Sequence, residues 1–457
     1  MINFNDKQKI HFIGIGGISM SGLAQILLSR GFPVSGSDSK QSELTDLLAS
    51  QGAQIFIGQT ADNIQEDIGL VVYTAAISED NPELKAAREA GIPTMVRADF
   101  LGALMKNYQT AICVSGTHGK TTTTSLISQI LVDAETDPTI SVGGVLPLIG
   151  GNVRIGHSDL FLTEACEYTN SFLSFFPTIE IILNVQADHM DFFKDLDDIR
   201  NSFKRYTELL PENGTLIING EIDDLSFFTK DLTCKVLTFG LHGDFDLTAK
   251  NISYNDHACA EYDLYLKGEK SAHVALQLPG EHNVYDSLAA IAAALEIGLT
   301  PEAAAASVGK FSGVNRRFQL KGEVAGVTVI DDYAHHPDEI RATLKAAAAY
   351  PHKKLWVVFQ PHTYTRTKAF LEEFADALSL ADAVVLADIY AAREKNTLGI
   401  SSADIKERID KKGIECHYFK TFDEIENFLL ENCVNGDLLI TMGAGDVNII
   451  GEKLLGM

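Results

Sequence analysis

Apolar and polar positions along the chain fall into three blocks with different alternation. In the first, an apolar run at residues 9–15 carries Gly14 near its end and is followed at once by Gly16 and Gly17. Residues 19–29 then repeat apolar side chains at helical spacing, and 34–38 return to a strand pattern. This βαβ opening is followed by a strand at 70–74 and a polar-acidic helix at 82–90, and the block closes near Lys106. In the second block, strands are expected at 110–114, 159–165 and 179–185. After Gly214 the spacing becomes hairpin-like, with strands at 215–219, 235–239, 245–253, 262–266 and 274–278 and an Ala-rich helix at 283–297. The third block alternates apolar strands at 327–330, 355–359, 383–386, 415–418 and 438–441 with helical patterns, as a doubly wound sheet does.

These blocks predict an α/β protein of three domains. Residues 1–106 form a Rossmann-like domain. Residues 107–314 form a central domain with a mainly parallel sheet and a small antiparallel one, and residues 315–457 form a second Rossmann-like domain. In the third domain polar groups cluster just past the strand ends, where such sheets bind ligands: Asp331, Asp332, Tyr333, His335 and His336; Gln360, His362 and Arg366; Asp388, Tyr390 and Arg393; Gly443, Gly445 and Asp446.

Composition narrows the class. The 457 residues are enough for about three domains of ordinary size. No apolar run reaches the about 18 residues that a membrane span needs, and residues 1–9 are polar, so a cytoplasmic protein without membrane insertion is expected. A formal charge of −25 repels nucleic acid and requires any anion site to be local. The six cysteines show no C-x-x-C spacing, which fits reduced, mostly buried thiols.

The most informative run is Val114-Ser115-Gly116-Thr117-His118-Gly119-Lys120-Thr121-Thr122, between a strand pattern and a helix pattern. There, backbone N–H groups and a helix N-terminus can cradle phosphate oxygens, Lys120 can meet the outer phosphates, and the Thr121 hydroxyl can face Mg2+. The form is shortened, because Val114 stands where the usual spacing puts the first glycine. It predicts a nucleoside triphosphate site. Past the strand ends at 159–165 and 179–185 stand Glu164, Glu167, Asp188, His189, Met190 and Asp191, on the same sheet edge as the loop. Glu164 suits Mg2+ as a hard oxygen ligand, whereas His189 reads from its chemistry either as a metal ligand or as a histidine outside the coordination sphere. The Gly14-Gly16-Gly17 turn, with Asp38 about 20 residues on, is compatible both with a nucleotide moiety and with a tight turn.

Residues 116–124, Glu164 with Glu167, the 188–191 run, Gly280-Glu281-His282-Asn283, Asn315-Arg316-Arg317-Phe318 and Asp331-Asp332-Tyr333-Ala334-His335-His336-Pro337 follow one another in an order that resembles the bacterial peptidoglycan Mur ligases. The resemblance covers nearly the whole chain. Residues 11–22 and the Phe359-Gln360-Pro361-His362 run are most similar to the branch that joins L-alanine to UDP-N-acetylmuramate. The resemblance implies an ATP- and Mg2+-dependent ligase that activates the muramoyl carboxylate as an acyl phosphate. Murein tripeptide ligase of cell wall recycling is the alternative within the family, and it needs a roomier site in the third domain.

On these positions the resemblance implies ATP contacts at Gly116, Thr117, His118, Gly119, Lys120, Thr121, Thr122, His282 and Asn283, with Arg316 or Arg317 reaching the phosphates. Metal ligands would be Thr121, Glu164 and His189. UDP-sugar contacts would be Gly16, Gly17, Ser37, Asp38, Thr74 and Glu167, and amino acid contacts Tyr333, His335, His336 and Arg366. Lys120, Arg366 and a base at His335 or His336 would carry the chemistry, although either histidine could equally serve only to orient the substrate. Thr363 departs from the family, which commonly has arginine after Gln-Pro-His, so the carboxylate clamp is expected to rest on Arg366. Some relatives also bridge metals with a carbamylated lysine, for which Lys204 lies at a plausible distance from His189.

Overall fold

The computed structural model describes residues 4, 7–74, 76–190, 192–392 and 394–457; Asp191 and Arg393, both noted above, lie outside them. Three sheets, one per domain, organise the chain. The first is parallel and five-stranded, in the order Gln54–Ile57, Val34–Asp38, Lys9–Ile13, Ile68–Tyr73, Thr94–Val96. Its central strand is buried on both faces from Ile10 to Ile13, which is why Ile10, Phe12 and Ile13 crowd together there, with His11 the polar side chain among them. The edge strands Gln54–Ile57 and Thr94–Val96 were not predicted, because they are short and half-exposed.

The central domain carries one ten-stranded sheet. Thr110–Ser115, leading into the phosphate loop, lies between Ile179–Ile182 and Leu160–Glu164 and is parallel to both, so all three strand ends point at the loop. The hairpin-like strands Leu247–Tyr254, Cys259–Leu266 and Glu269–Pro279 join through a two-residue parallel pairing of Phe239 and Gly240 with Leu247 and Thr248. They therefore extend the parallel sheet as its antiparallel part. The strands Thr139–Leu146 and Gly151–Arg154, on the other side, escaped the sequence pattern because Gly143, Gly144, Gly150 and Gly151 interrupt it.

The third sheet has six strands, all parallel except the edge strand Gln319–Val324, which pairs antiparallel with Val327–Asp332.

The domains meet in two ways. One apolar cluster is shared by the first two: Phe12, Phe100, Leu101 and Met105 pack with Phe161, Phe172, Phe175 and Phe203. Close backbone approach makes this possible, since a Cβ on Gly102 would lie 1.9 Å from the Ser174 carbonyl oxygen and one on Gly22 would lie 2.4 Å from Val153 Cγ2. The third domain keeps its apolar clusters to itself and meets the central domain through polar groups, among them His118 with Glu339 and Asp188 with Arg366.

Gly102→Ala should therefore destabilise the protein by about 1–3 kcal/mol, because the blocking atom is backbone and cannot rotate away. Chemical denaturation checks this; a change under about 0.5 kcal/mol, the size of an ordinary surface substitution, would show that the first two domains are not wedged there.

Candidate active site

The phosphate loop is shaped by its glycines and clamped by the neighbouring strand end. Gly116 and Gly119 have φ of 140° and 85°, a region open to glycine, and a Cβ on Gly119 would sit 2.5 Å from Asp286 Oδ1. The His118 N–H donates to Asn184 Oδ1 at 2.8 Å, Asn184 Nδ2 donates to the His118 carbonyl at 3.1 Å, and the Gln186 N–H donates to Thr117 Oγ1 at 2.9 Å. The helix Lys120–Asp133 starts there with no side-chain cap, so its first N–H groups are left for a ligand. Asp286 is buried and its pKa is pushed up to about 8, so it adds no negative charge beside the loop at neutral pH.

Lys120 is held by this frame. Its ammonium donates to the carbonyls of Gly116 and Thr117 and pairs with Glu167 at 3.0 Å. Burial opposes its charge, but Glu167, Cys166 and Glu164 outweigh that and raise its pKa. Glu167 Oε1 is buried and takes no hydrogen bond, while His189 Nε2 lies 3.7 Å from it. An open carboxylate oxygen beside a neutral imidazole is a donor pair that fits a divalent cation. Burial lowers the His189 pKa, which keeps its lone pair available. Glu167, expected at the UDP-sugar, stands in this structure between Lys120 and His189. Glu164 accepts the Gly143 N–H at 2.7 Å, and a Cβ on Gly144 would lie 3.5 Å from Thr121 Cγ2, so this strand passes directly over Thr121 and Glu164. Two glycines inside a strand were the signal for such an approach.

A cavity of about 530 Å³ opens beside the loop and is lined by His118, Gly119, Thr122, His282, Asn283 and Asp286, together with Arg317, Asp332 and Glu339 of the third domain. Its size suits a nucleotide. Arg317 lines it, but Arg316 does not. The Arg316 guanidinium is bonded to Asp331 Oδ2 at 3.1 Å and to the Gly443 and Gly445 carbonyls at 2.7 and 2.9 Å, away from the cavity.

A second cavity, of about 300 Å³, is lined by Tyr168, Asp188 and His189 of the central domain and by Tyr333, His335, His362, Thr363, Arg366 and Glu394 of the third. Arg366 donates to Asp188 Oδ1 at 3.2 Å and lies 3.2 Å from His362 Nδ1. Burial favours a neutral Asp188, but Arg366, His189 and His336 outweigh it and hold the carboxyl far below its usual range. Thr363 takes a φ of 64° and caps the short helix that carries Arg366. Both His335 and His336 were candidate bases, and the structure separates them. His335 lines the cavity. His336 is buried outside it, with Nε2 donating to the Ala187 carbonyl at 3.2 Å and Nδ1 capping the helix Pro337–Ala348. Lys204 pairs with Asp231 and lies over the Phe227 ring, apart from both cavities.

In the first domain, Gly16, Gly17, Asp38 and Thr74 gather at the strand ends. Asp38 accepts the Gly16 N–H at 2.9 Å and the Ser39 N–H at 2.8 Å, so it shapes the glycine turn itself. The helix Ile18–Ser29 begins there without a side-chain cap. Ser37, expected among these contacts, is fully buried and its hydroxyl is bound to Glu83. Sequence reasoning missed Arg97, which donates to Ser19 Oγ at 3.0 Å at this helix start and, among the described residues, has no carboxylate within ion-pair distance. It also missed Asn184, Asp286 and Glu339, although Asp286 follows Asn283 at the i,i+3 spacing of one helix face.

Family models match all three domains: "Mur ligase family, catalytic domain" over residues 9–109, "Mur ligase middle domain" over 114–294 and "Mur ligase, glutamate ligase domain" over 316–445. The chain is 60% identical over 455 residues to the UDP-N-acetylmuramate–L-alanine ligase of Lachnospira eligens, covering 99% of both. It is 59% identical to that of Agathobacter rectalis, with the same coverage. Among solved structures, the UDP-N-acetylmuramate-alanine ligase of Thermotoga maritima superposes with a TM-score of 0.82 at 30% identity, covering 98% of both chains. A murein peptide ligase of Psychrobacter arcticus superposes with 0.73 at 25%, also covering 98% of both.

The His335 pKa is lowered by burial to about 4, against about 6.5 for an unfolded histidine. Between these values the unfolded chain binds more protons, so acidification favours unfolding through this group. As pH falls from 7 to 4, the wild type should lose up to about 3 kcal/mol of stability relative to His335→Gln. Parallel pH profiles of unfolding for the two proteins would overturn the buried neutral imidazole.

Proposed function

The chain belongs to the Mur ligase family, and from this premise we propose that it is the ATP-dependent ligase that joins L-alanine to the carboxylate of UDP-N-acetylmuramate. The observation that carries this reading is the pair of cavities flanking one row of charged groups, Lys120, Glu167 and His189. One is nucleotide-sized, at the phosphate loop; the other is small, with Arg366 on its wall. About 300 Å³ lies at the lower end of ligand sites, which supports a single amino acid over a tripeptide as the acceptor.

ATP would lie in the larger cavity, with its phosphates on the loop amides and Lys120. Arg317 from the third domain adds positive charge. Mg2+ fits Thr121, Glu164 and the open oxygen of Glu167 with His189, and when bound it would neutralise charge on the transferring phosphoryl group. The UDP-sugar would place its diphosphate at the uncapped start of the helix Ile18–Ser29, where Arg97 adds a cation. Its muramoyl carboxylate then attacks the γ-phosphorus and ADP leaves. Positioning and electrostatics supply most of the acceleration in such transfers.

The resulting acyl phosphate is open to attack by an amine. Arg366 would hold the alanine carboxylate, exchanging or sharing its bond to Asp188, and the amine would face the acyl carbon. Attack requires a neutral amine, and the neutral His335 ring on the cavity wall can accept or orient its proton. Formation of the amide expels phosphate. Because the third domain closes both cavities against the central one, water is kept from the acyl phosphate until the amine has reacted.

Phosphate release from ATP should require UDP-N-acetylmuramate and L-alanine together, and a tripeptide should not replace alanine; release with the tripeptide alone as acceptor would overturn the reading. Lys120→Ala should keep the fold and lower kcat by about 10²- to 10³-fold, comparable with one lost preorganised donor. Arg366→Lys should lower alanine kcat/KM by about 10- to 100-fold with little change in the ATP KM, since lysine cannot reproduce the planar fork. A raised ATP KM beside an unchanged alanine KM would move Arg366 to the nucleotide.

A further inference from the structure

Where the third domain meets the phosphate loop, a second set of ligand-type groups stands apart from Glu167 and His189. His118, His336 and Asp338 each offer one ligand atom within 4.8 Å of the other two. His118 belongs to the phosphate loop, and the other two begin the helix Pro337–Ala348, so the set spans the domain boundary. The two imidazole rings lie 4.8 Å apart between centroids.

The hydrogen bonds fix which nitrogens carry lone pairs. His118 Nδ1 lies 3.1 Å from Glu339 Oε1. With the carboxylate as acceptor Nδ1 is the donor, which leaves Nε2 as the ring's other nitrogen. That Nε2 is buried and has no hydrogen-bond partner. His336 Nε2 faces the Ala187 carbonyl, another pure acceptor, so its lone pair is on Nδ1, whose one bond is a 3.3 Å contact from the Asp338 N–H. Asp338 Oδ2 lies 4.0 Å from the same Nδ1. Two imidazoles, one backed by a carboxylate and one by a carbonyl, with a carboxylate beside them, reproduce the way metal-binding histidines are oriented from behind.

We propose that His118, His336 and Asp338 form a site for a borderline-soft divalent cation such as Zn2+, which clasps the third domain to the phosphate loop. The donor set of two imidazoles and one carboxylate suits Zn2+ better than Mg2+, which prefers oxygen ligands. Ligand atoms around a tetrahedral ion stand about 3.4 Å apart at bond lengths of about 2.0–2.1 Å, so binding needs a modest contraction of the set. Asp338 must also loosen its 2.6 Å pair with Arg341. The clasp would slow each domain opening, so the ion acts as an inhibitor whose effect on rate is separate from replacement of Mg2+ on ATP.

Isothermal titration of the full-length, nucleotide-free protein with ZnCl2 tests this. One ion per chain is expected. Asp338→Asn should weaken binding by at least about 10-fold, while Arg341→Met, which frees Asp338, should tighten it. Glu164→Gln, in the proposed Mg2+ set, should leave it unchanged. In turnover assays at saturating Mg-ATP, Zn2+ should inhibit reversibly with respect to chelator, and Asp338→Asn should need at least about 10-fold more Zn2+ for half inhibition. Equal Zn2+ affinity in the wild type and Asp338→Asn, loss of binding in Glu164→Gln, or binding only when ATP is present would each overturn the proposal.

Discussion

A protein with a formal charge of −25 must gather positive potential locally if it is to hold a polyphosphate, and the rest of the site follows from that constraint. The helix Lys120–Asp133 presents uncapped N–H groups, Lys120 is locked onto the loop carbonyls, and Arg317 arrives from another domain. The acids nearest the loop are managed in different ways. Asp286 is kept neutral by burial, Glu167 is paired with Lys120, and Glu164 is turned onto the Gly143 amide. Remove Lys120 and the buried Glu167 would face His189 with an uncompensated charge, which is costly in a desolvated place.

The two domain interfaces are built from different physics, and this sets what can move. The first two domains share one apolar cluster in which aromatic rings interlock and two glycines admit close contact, Gly102 with the Ser174 backbone and Gly22 with the Val153 side chain, so they act as a unit. The third domain touches the central one through charged and polar pairs that water can replace. Such pairs are specific in direction and modest in net energy, the properties required of an interface that opens and closes in each cycle. The phosphate loop itself supplies His118 to this boundary, so nucleotide binding and domain closure act on the same residue.

The second cavity depends on that closure. Asp188 and His189 form its central wall and Arg366, His335 and Glu394 the opposite one, so the amino acid site is complete only when the domains meet. The Asp188–Arg366 pair then has two roles. It holds the closed arrangement, and it keeps the guanidinium oriented until a substrate carboxylate competes for it.

The sequence by itself determined the elements and the loop chemistry. Buried parallel strands leave long apolar runs, and the shortened glycine loop between a strand and a helix has few uses other than phosphate binding. Strands interrupted by glycine or confined to half-exposed edges left no such trace, which is why Thr139–Leu146, Gln54–Ile57 and Thr94–Val96 appear only in the structure. Within the site, sequence could name pairs but could not choose between their members. Arg316 and Arg317, or His335 and His336, are adjacent residues whose side chains leave the backbone in different directions, so one lines a cavity while its neighbour is spent elsewhere, Arg316 on carbonyls of its own domain and His336 on the Ala187 carbonyl of the central one. The partners that decide these roles stand 47, 178 and 221 positions apart in Lys120–Glu167, Asp188–Arg366 and His118–Glu339. No local pattern encodes such separations. Only the packing of three sheets brings those charges within bonding distance, and burial then fixes which of them stay ionised.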